Sequence, residues 1–180
     1  MRQADVRRFG LADPGDVSGL AEAIASGAID PATIVAVVGK THGNGLVNDY
    51  TRGFLTMALA DLLARALGTS REAVTARIPF VFSGGVEGVL SPHYSVFTIA
   101  PAEPDAKPGP ALAIGTAIGA PLAPADLGRR TQMMSTAAAV RRAMTEAGIA
   151  PGDAHLVQVK GPAPSLAAIA ASERPCRSPE

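Results

Sequence analysis

IVAVVGKTHGNGLVNDYTRGF, residues 34–54, passes from a β-branched apolar run through a glycine- and asparagine-rich loop into a helical pattern, and its reading sets the fold. Ile34 to Val38 is bounded by Pro31 and Gly39, which suits a strand covered on both faces, with Lys40 at its C-terminal end. Thr41 to Asn48 contains Gly43, Asn44, Gly45 and Asn48, residues that accept unusual backbone angles, so a tight loop is expected. From Asp49 the period changes. Phe54, Leu55, Ala58, Leu59, Leu62, Leu63 and Ala66 mark one apolar face of a helix that Gly68 ends. Arg52 then falls in the first turn, beside the partly positive helix N-terminus, which raises the question of what compensates it.

Outward from this stretch, Val17, Leu20, Ala21 and Ile24 recur at helical spacing, and the pattern predicts a helix over 16–27. Thr69 and Glu72 have capping-box spacing and start a short helix before a strand over 78–82. Ser83-Gly84-Gly85 follows that strand directly. A loop with Glu87, Gly88, Ser91 and Pro92 leads to a strand over 94–100. The proline-rich segment PAEPDAKPGP, 101–110, reads as a linker. Beyond it come a strand near 112–116, a helix near 131–147 and a strand near 154–159. The expected organisation is a first unit over 1–102, a linker over 103–110 and a partial second unit over 111–180.

An internal repeat supports that division. Laid without a gap over Ala143–Lys160, Ala23–Lys40 matches at Ala23, Ile29, Pro31, Val37 and Lys40, which fall on Ala143, Ile149, Pro151, Val157 and Lys160. In both copies a helix ends, a proline turn follows and an apolar strand terminates in lysine. The second copy lacks counterparts of Arg52 and Ser83.

Composition narrows the function classes. Sixteen Lys plus Arg balance sixteen Asp plus Glu, so no net field draws in a nucleic acid or an anionic membrane. Pro110 to Ala125 is broken by Gly115, Gly119, Pro121 and Pro124, unlike a membrane span of about 20 apolar residues. Arg2, Asp5, Arg7 and Arg8 precede no apolar block, so a secretory signal is not expected and a cytoplasmic address follows by default. Cys176 is the only cysteine, and His42, His93 and His155 are widely spaced, so neither a disulfide, a metal site nor any other cofactor is expected.

Several segments carry candidate chemistry. VGKTHGNG ends like a phosphate loop, but Ile34 stands where that pattern needs its first glycine. Lys40 and Lys160, each at a strand end, are either solvated charges or amines able to deprotonate a serine hydroxyl. Arg52 either pairs with Asp49 on the helix surface or offers fixed donors to the carbonyls of a planar imide. Ser83-Gly84-Gly85 is either a plain turn or an anchor for a carbonyl or oxyanion. Glu87 and His93 have no second signal and read as structural, His93 as a loop residue.

Taken together, VAVVGKTHGNGLVNDYTRGF (35–54), FVFSGGVEGVLSPH (80–93) and HLVQVKGP (155–162) resemble signatures of the cyanuric acid hydrolase and barbiturase family of ring-opening amidohydrolases. The resemblance runs from about residue 5 to about residue 170. It implies an α+β fold of three repeated, helix-covered sheet units around a pseudo-threefold axis, in a chain about twice this length. One complete unit and part of a second would be present here. Each unit would give a lysine, an arginine and a serine to one site for a small planar cyclic imide, and a serine would open the ring without a metal in the chemical step. By position, Arg52, Ser83 and the Gly84 N–H resemble substrate-binding groups, Lys40 the lysine of that unit, and Lys160 the lysine that activates the nucleophilic serine. That serine has no counterpart, and the tail SERPCRSPE departs from the family, so a truncated form is expected. His42 replaces a usual acid and Gly161 a common cysteine. The implied reaction is cyanuric acid to carboxybiuret. The alternatives are barbiturate to ureidomalonate, completion by a second polypeptide or by self-association, and a non-catalytic ligand-binding fragment.

Overall fold

A computed structural model describes residues 2–46, 48–85, 90–102, 112–162 and 166–173. The expected linker 103–110, Glu87, Gly88 and Cys176 lie outside these residues. The chain forms two compact units, Met1–Thr116 and Ala117–Glu180.

The first unit is built on a four-stranded mixed sheet with the order β1-β4-β2-β3, where β1 is Arg2–Gly10, β2 Ile34–Lys40, β3 Phe80–Ser83 and β4 His93–Pro101. β4 pairs antiparallel with both β1 and β2, and β2 pairs parallel with β3. The parallel pair requires a crossover, which α2 (Thr51–Leu67) and α3 (Arg71–Arg77) supply. With α1 (Ser18–Ala25) they bury one sheet face. Leu20 of α1, Leu55, Leu59 and Leu63 of α2 and Val74 of α3 share a core with Ile34, Val37, Phe80, Tyr94 and Val96.

The central run differs from expectation in one respect. Ile34 and Val37 are sealed in the core and Ala36 is buried as well, whereas Val35 and Val38 are only half-buried, so one face is fully covered and the other only in part. A register shift between Ile34 and Ala36 brings two core residues three positions apart onto one face, a job that strict alternation does not allow. Gly39 then passes so close to β4 that a Cβ there would collide with the His93 carbonyl and the Tyr94 Cα. Tyr94 stacks on Phe9 with centroids 5.4 Å apart, tying the edge strand to the core. Among the described residues its hydroxyl has no close hydrogen-bond partner, and burial, partly offset by the Leu20 backbone and aided by the Asp16 charge, pushes the phenol up to about 12.

β1 has no counterpart in the expected elements. Its residues are mostly charged or polar and mostly exposed, as befits an edge strand, and Asp5 and Arg7 pair along it at 3.5 Å. The apolar face of α2 is centred on Leu55, Leu59 and Leu63, spaced one turn apart, so Phe54 and Ala66 fall off its edges and are exposed. Gly68, left-handed at φ 63°, ends the helix as its sequence predicts. The cap of α3 is Ser70, whose hydroxyl accepts from the Ala73 N–H, not Thr69: the Thr69 N–H is used to close α2 on the Ala64 carbonyl. His93 begins β4 and is not a loop residue.

One substitution tests the first turn of α2. A Cβ on Gly53 meets nothing within 4 Å. Gly53→Ala should therefore stabilise the chain by about 0.5–1 kcal/mol, through lower unfolded-state entropy and better helix propensity. Urea unfolding of the purified variant checks this, and a lower midpoint would contradict it.

The strand expected near 112–116, at the end of the first unit, does not form, and the second unit forms α4 (Arg130–Ala147) and α5 (Leu166–Glu173) but not the strand expected near 154–159. A strand needs a ladder to satisfy its backbone groups, and none of the described residues of this unit supplies one. Leu156 is accordingly 85% exposed. The two repeat copies do share a 3-10 turn at the aligned positions, Pro31–Thr33 and Pro151–Asp153, each after a positive-φ glycine, Gly27 or Gly148. Only the first copy continues into a strand.

Candidate functional site

Lys40 and Ser83 are register partners at the C-terminal ends of the parallel strands β2 and β3. Parallel register thus sets two residues far apart in sequence, an amine and a hydroxyl, side by side. The Lys40 ammonium donates to Ser83 Oγ at 3.2 Å and to the Gly84 carbonyl at 3.4 Å. The Thr41 N–H donates to the Ser83 carbonyl at 3.0 Å, continuing the pairing by one step. Ser83 is exposed, whereas Gly84 and Gly85 are buried.

The loop between β2 and α2 folds back over this strand end around one carboxylate. Asp49 accepts from the Gly45 N–H at 2.8 Å, the Thr51 N–H at 3.0 Å and the Thr51 hydroxyl at 2.5 Å. An ionised carboxylate accepts only, so the Thr51 hydrogen goes to Asp49 and its oxygen is left to accept from Thr41, 2.8 Å away. A polar chain therefore runs from the buried Thr41, beside Ser83, to Asp49. Gly43 and Gly84 make the approach possible, since a Cβ on either would run into the Asp49 carboxylate.

Arg52 completes the cluster. Its Nε lies 3.6 Å from Asp49 Oδ2 and its Nη2 donates to the Leu46 carbonyl at 3.2 Å. The anticipated Asp49–Arg52 pair does form, but it is not a surface pair: the Asp49 side chain is 0% exposed and that of Arg52 40%. Asp49 precedes the helix and bonds its first N–H, so it also answers the macrodipole conflict posed by a cation in that turn.

Burial pushes the Asp49 carboxyl up, but the Thr51 hydroxyl, the Gly45 and Thr51 N–H groups and the Arg52 charge outweigh it and hold the group below its ordinary value of 3.8. A depressed carboxylate stabilises the fold fully above its unfolded pKa, and that contribution is lost as pH falls through the lower folded pKa. The stability difference between the wild type and Asp49→Asn should thus be constant above about pH 5 and shrink below about pH 4. Urea titrations across that range check it; a difference that grows on acidification would contradict the assignment.

Lys40, Ser83, Gly84 and Arg52, four of the five residues singled out from sequence, meet at one end of the first-unit sheet. The fifth, Lys160, belongs to the second unit, where it is exposed at the end of a segment without regular structure. Asp49 as a hub, and Thr41 and Thr51 as its links, were not anticipated. The misplaced cation at Arg52 and its spacing from Asp49 were the signals that pointed toward them. His93 is the register partner of Lys40 on the neighbouring strand β4 and bonds the Ser91 carbonyl through Nδ1 at 2.7 Å. Among the described residues no group of three His, Cys, Asp or Glu side chains could hold a metal ion, and no helix is long and apolar enough to cross a membrane.

The chain matches a solved cyanuric acid hydrolase with a TM-score of 0.80 and 49% identity over 83% of its own length and 42% of that structure. The fold is therefore one shared with that hydrolase. The sequence profile of the amidohydrolase ring-opening protein family matches residues 5–178, and the chain belongs to that family. It is 55% identical to a cyanuric acid amidohydrolase of Bradyrhizobium diazoefficiens, over 83% of this chain and 41% of the relative. It is 49% identical to a cyclic amide hydrolase of Azorhizobium caulinodans, over 94% of this chain and 46% of the relative. The chain thus spans less than half the length of these relatives.

Proposed function

We propose that this chain forms part of a site that opens a planar cyclic imide by hydrolysis, with cyanuric acid as the substrate. The observation that carries the reading is the convergence of Lys40, Ser83, Gly84 and Arg52 at one sheet end, in a chain of this family. In this reading the Arg52 guanidinium donates to a ring carbonyl, which suits its fixed, planar donors. Ser83 Oγ and the Gly84 N–H take a second carbonyl oxygen, and the Lys40 charge holds the Ser83 hydroxyl in place.

The chemical step follows from the same logic. Lys160 accepts the proton of a serine hydroxyl contributed by the complete fold, whose oxygen attacks a ring carbonyl; collapse breaks the C–N bond as that proton passes to the departing ring nitrogen, and water then hydrolyses the acyl-serine ester, restoring the serine hydroxyl and releasing the opened product as a carboxylic acid. The complete fold is three such units around a pseudo-threefold axis, a symmetry that matches a ring with three equivalent imide edges.

Calorimetric titration with cyanurate and with barbiturate tests the reading. Cyanurate should bind saturably, and Arg52→Met should weaken it by about tenfold or more, the scale of a hydrogen bond from a charged donor. Equal affinity in wild type and variant, or no cyanurate binding at all, would overturn it. Binding of barbiturate alone would reassign the substrate.

A further inference from the structure

We infer that Asp49 is the positioning residue of the site: it fixes the Arg52 guanidinium and locks the Gly45 loop to the Lys40–Ser83 strand ends. The inference rests on the substrate-binding reading of Arg52 given above, but its structural half stands on geometry alone. An arginine on a first helical turn has many rotamers, and ordering one costs appreciable entropy. Asp49 and the Leu46 carbonyl hold two of the three guanidinium nitrogens, so among the described residues Nη1 keeps its donors for a ligand. The carboxylate that does this is itself immobile, because three further donors and two glycine backbones enclose it.

The enclosure also couples the parts. Oδ2 receives both the Gly45 N–H and the Arg52 Nε, and Oδ1 receives Thr51, which in turn is bonded to Thr41 beside Ser83. A shift of the carboxylate must therefore move the arginine and the loop together. Asparagine in its place keeps the size but removes the charge and turns one acceptor into a donor facing other donors.

Two readouts test this on the full chain. The first needs no ligand: in 15N-resolved NMR, the Arg52 Nε–H of the wild type should be shifted from the random-coil position and protected from exchange. In Asp49→Asn it should collapse to that position while amide signals of β4 and α3 stay in place. An already averaged Arg52 signal in the wild type, or one unchanged in Asp49→Asn, overturns the inference. The second is a double-mutant cycle on cyanurate affinity. Asp49→Asn should cost about tenfold with Arg52 present, on the scale of a charge-assisted hydrogen bond, and under about twofold in the Arg52→Met background. Equal losses in both backgrounds would show a general structural role and refute positioning. If the wild type binds no cyanurate, the functional reading fails, and the NMR readout still decides whether Asp49 holds Arg52.

Discussion

Gly84→Ala is expected to dismantle the strand-end site. The added Cβ would fall on the Asp49 carboxylate and crowd the Gly45 nitrogen, 2.8 Å away. Neither neighbour can give way cheaply. The Gly45 nitrogen is backbone, and Asp49 is held by the four groups that make it a hub. Overpacking of this kind costs about 1–3 kcal/mol of stability, and here the relief must come from parting the Asp49 loop from β3. Cyanurate affinity should therefore drop at least tenfold, more than stability alone predicts. Urea unfolding together with calorimetry checks both numbers, and a variant with wild-type affinity would contradict the close approach.

Leu59→Ala should be the most damaging core substitution. Leu59 is 0% exposed, lies at the middle of the α2 stripe and packs with sheet and helix residues in one cluster. Removing its side chain loses transfer free energy and leaves a cavity, together worth about 3–5 kcal/mol. Against a total stability of about 5–15 kcal/mol, that is a large share for a unit whose sheet is covered by helices on one face. The midpoint of urea unfolding should fall sharply, whereas Phe54→Ala on the same helix, at an exposed position, should change it little. Equal effects of the two would mean that the stripe has been assigned to the wrong face.

The first unit was largely legible from sequence because its signals are local. The β-branched run, the loop glycines and the leucine period fix β2, the Asp49 loop and α2 by short-range physics, and Gly68 marks the helix end. What escaped is non-local. β1 is a charged edge strand with no period to announce it, and only pairing with β4 makes it a strand. The strands expected near 112–116 and 154–159 have the right composition, but composition does not supply a partner ladder. At the site, residue types were readable while their meeting was not: Lys40 faces Ser83 because of parallel register, and Asp49 became a hub only when Gly43 and Gly84 let it in. The Asp49–Arg52 spacing suggested a surface ion pair, and burial turned it into an anchor.

The most direct test of the central claim is a crystal structure of the chain with cyanurate bound. Ring oxygens within hydrogen-bonding distance of the Arg52 guanidinium, Ser83 Oγ and the Gly84 N–H would be the predicted result. Ordered cyanurate seated elsewhere on the chain, with those three groups untouched, would contradict it.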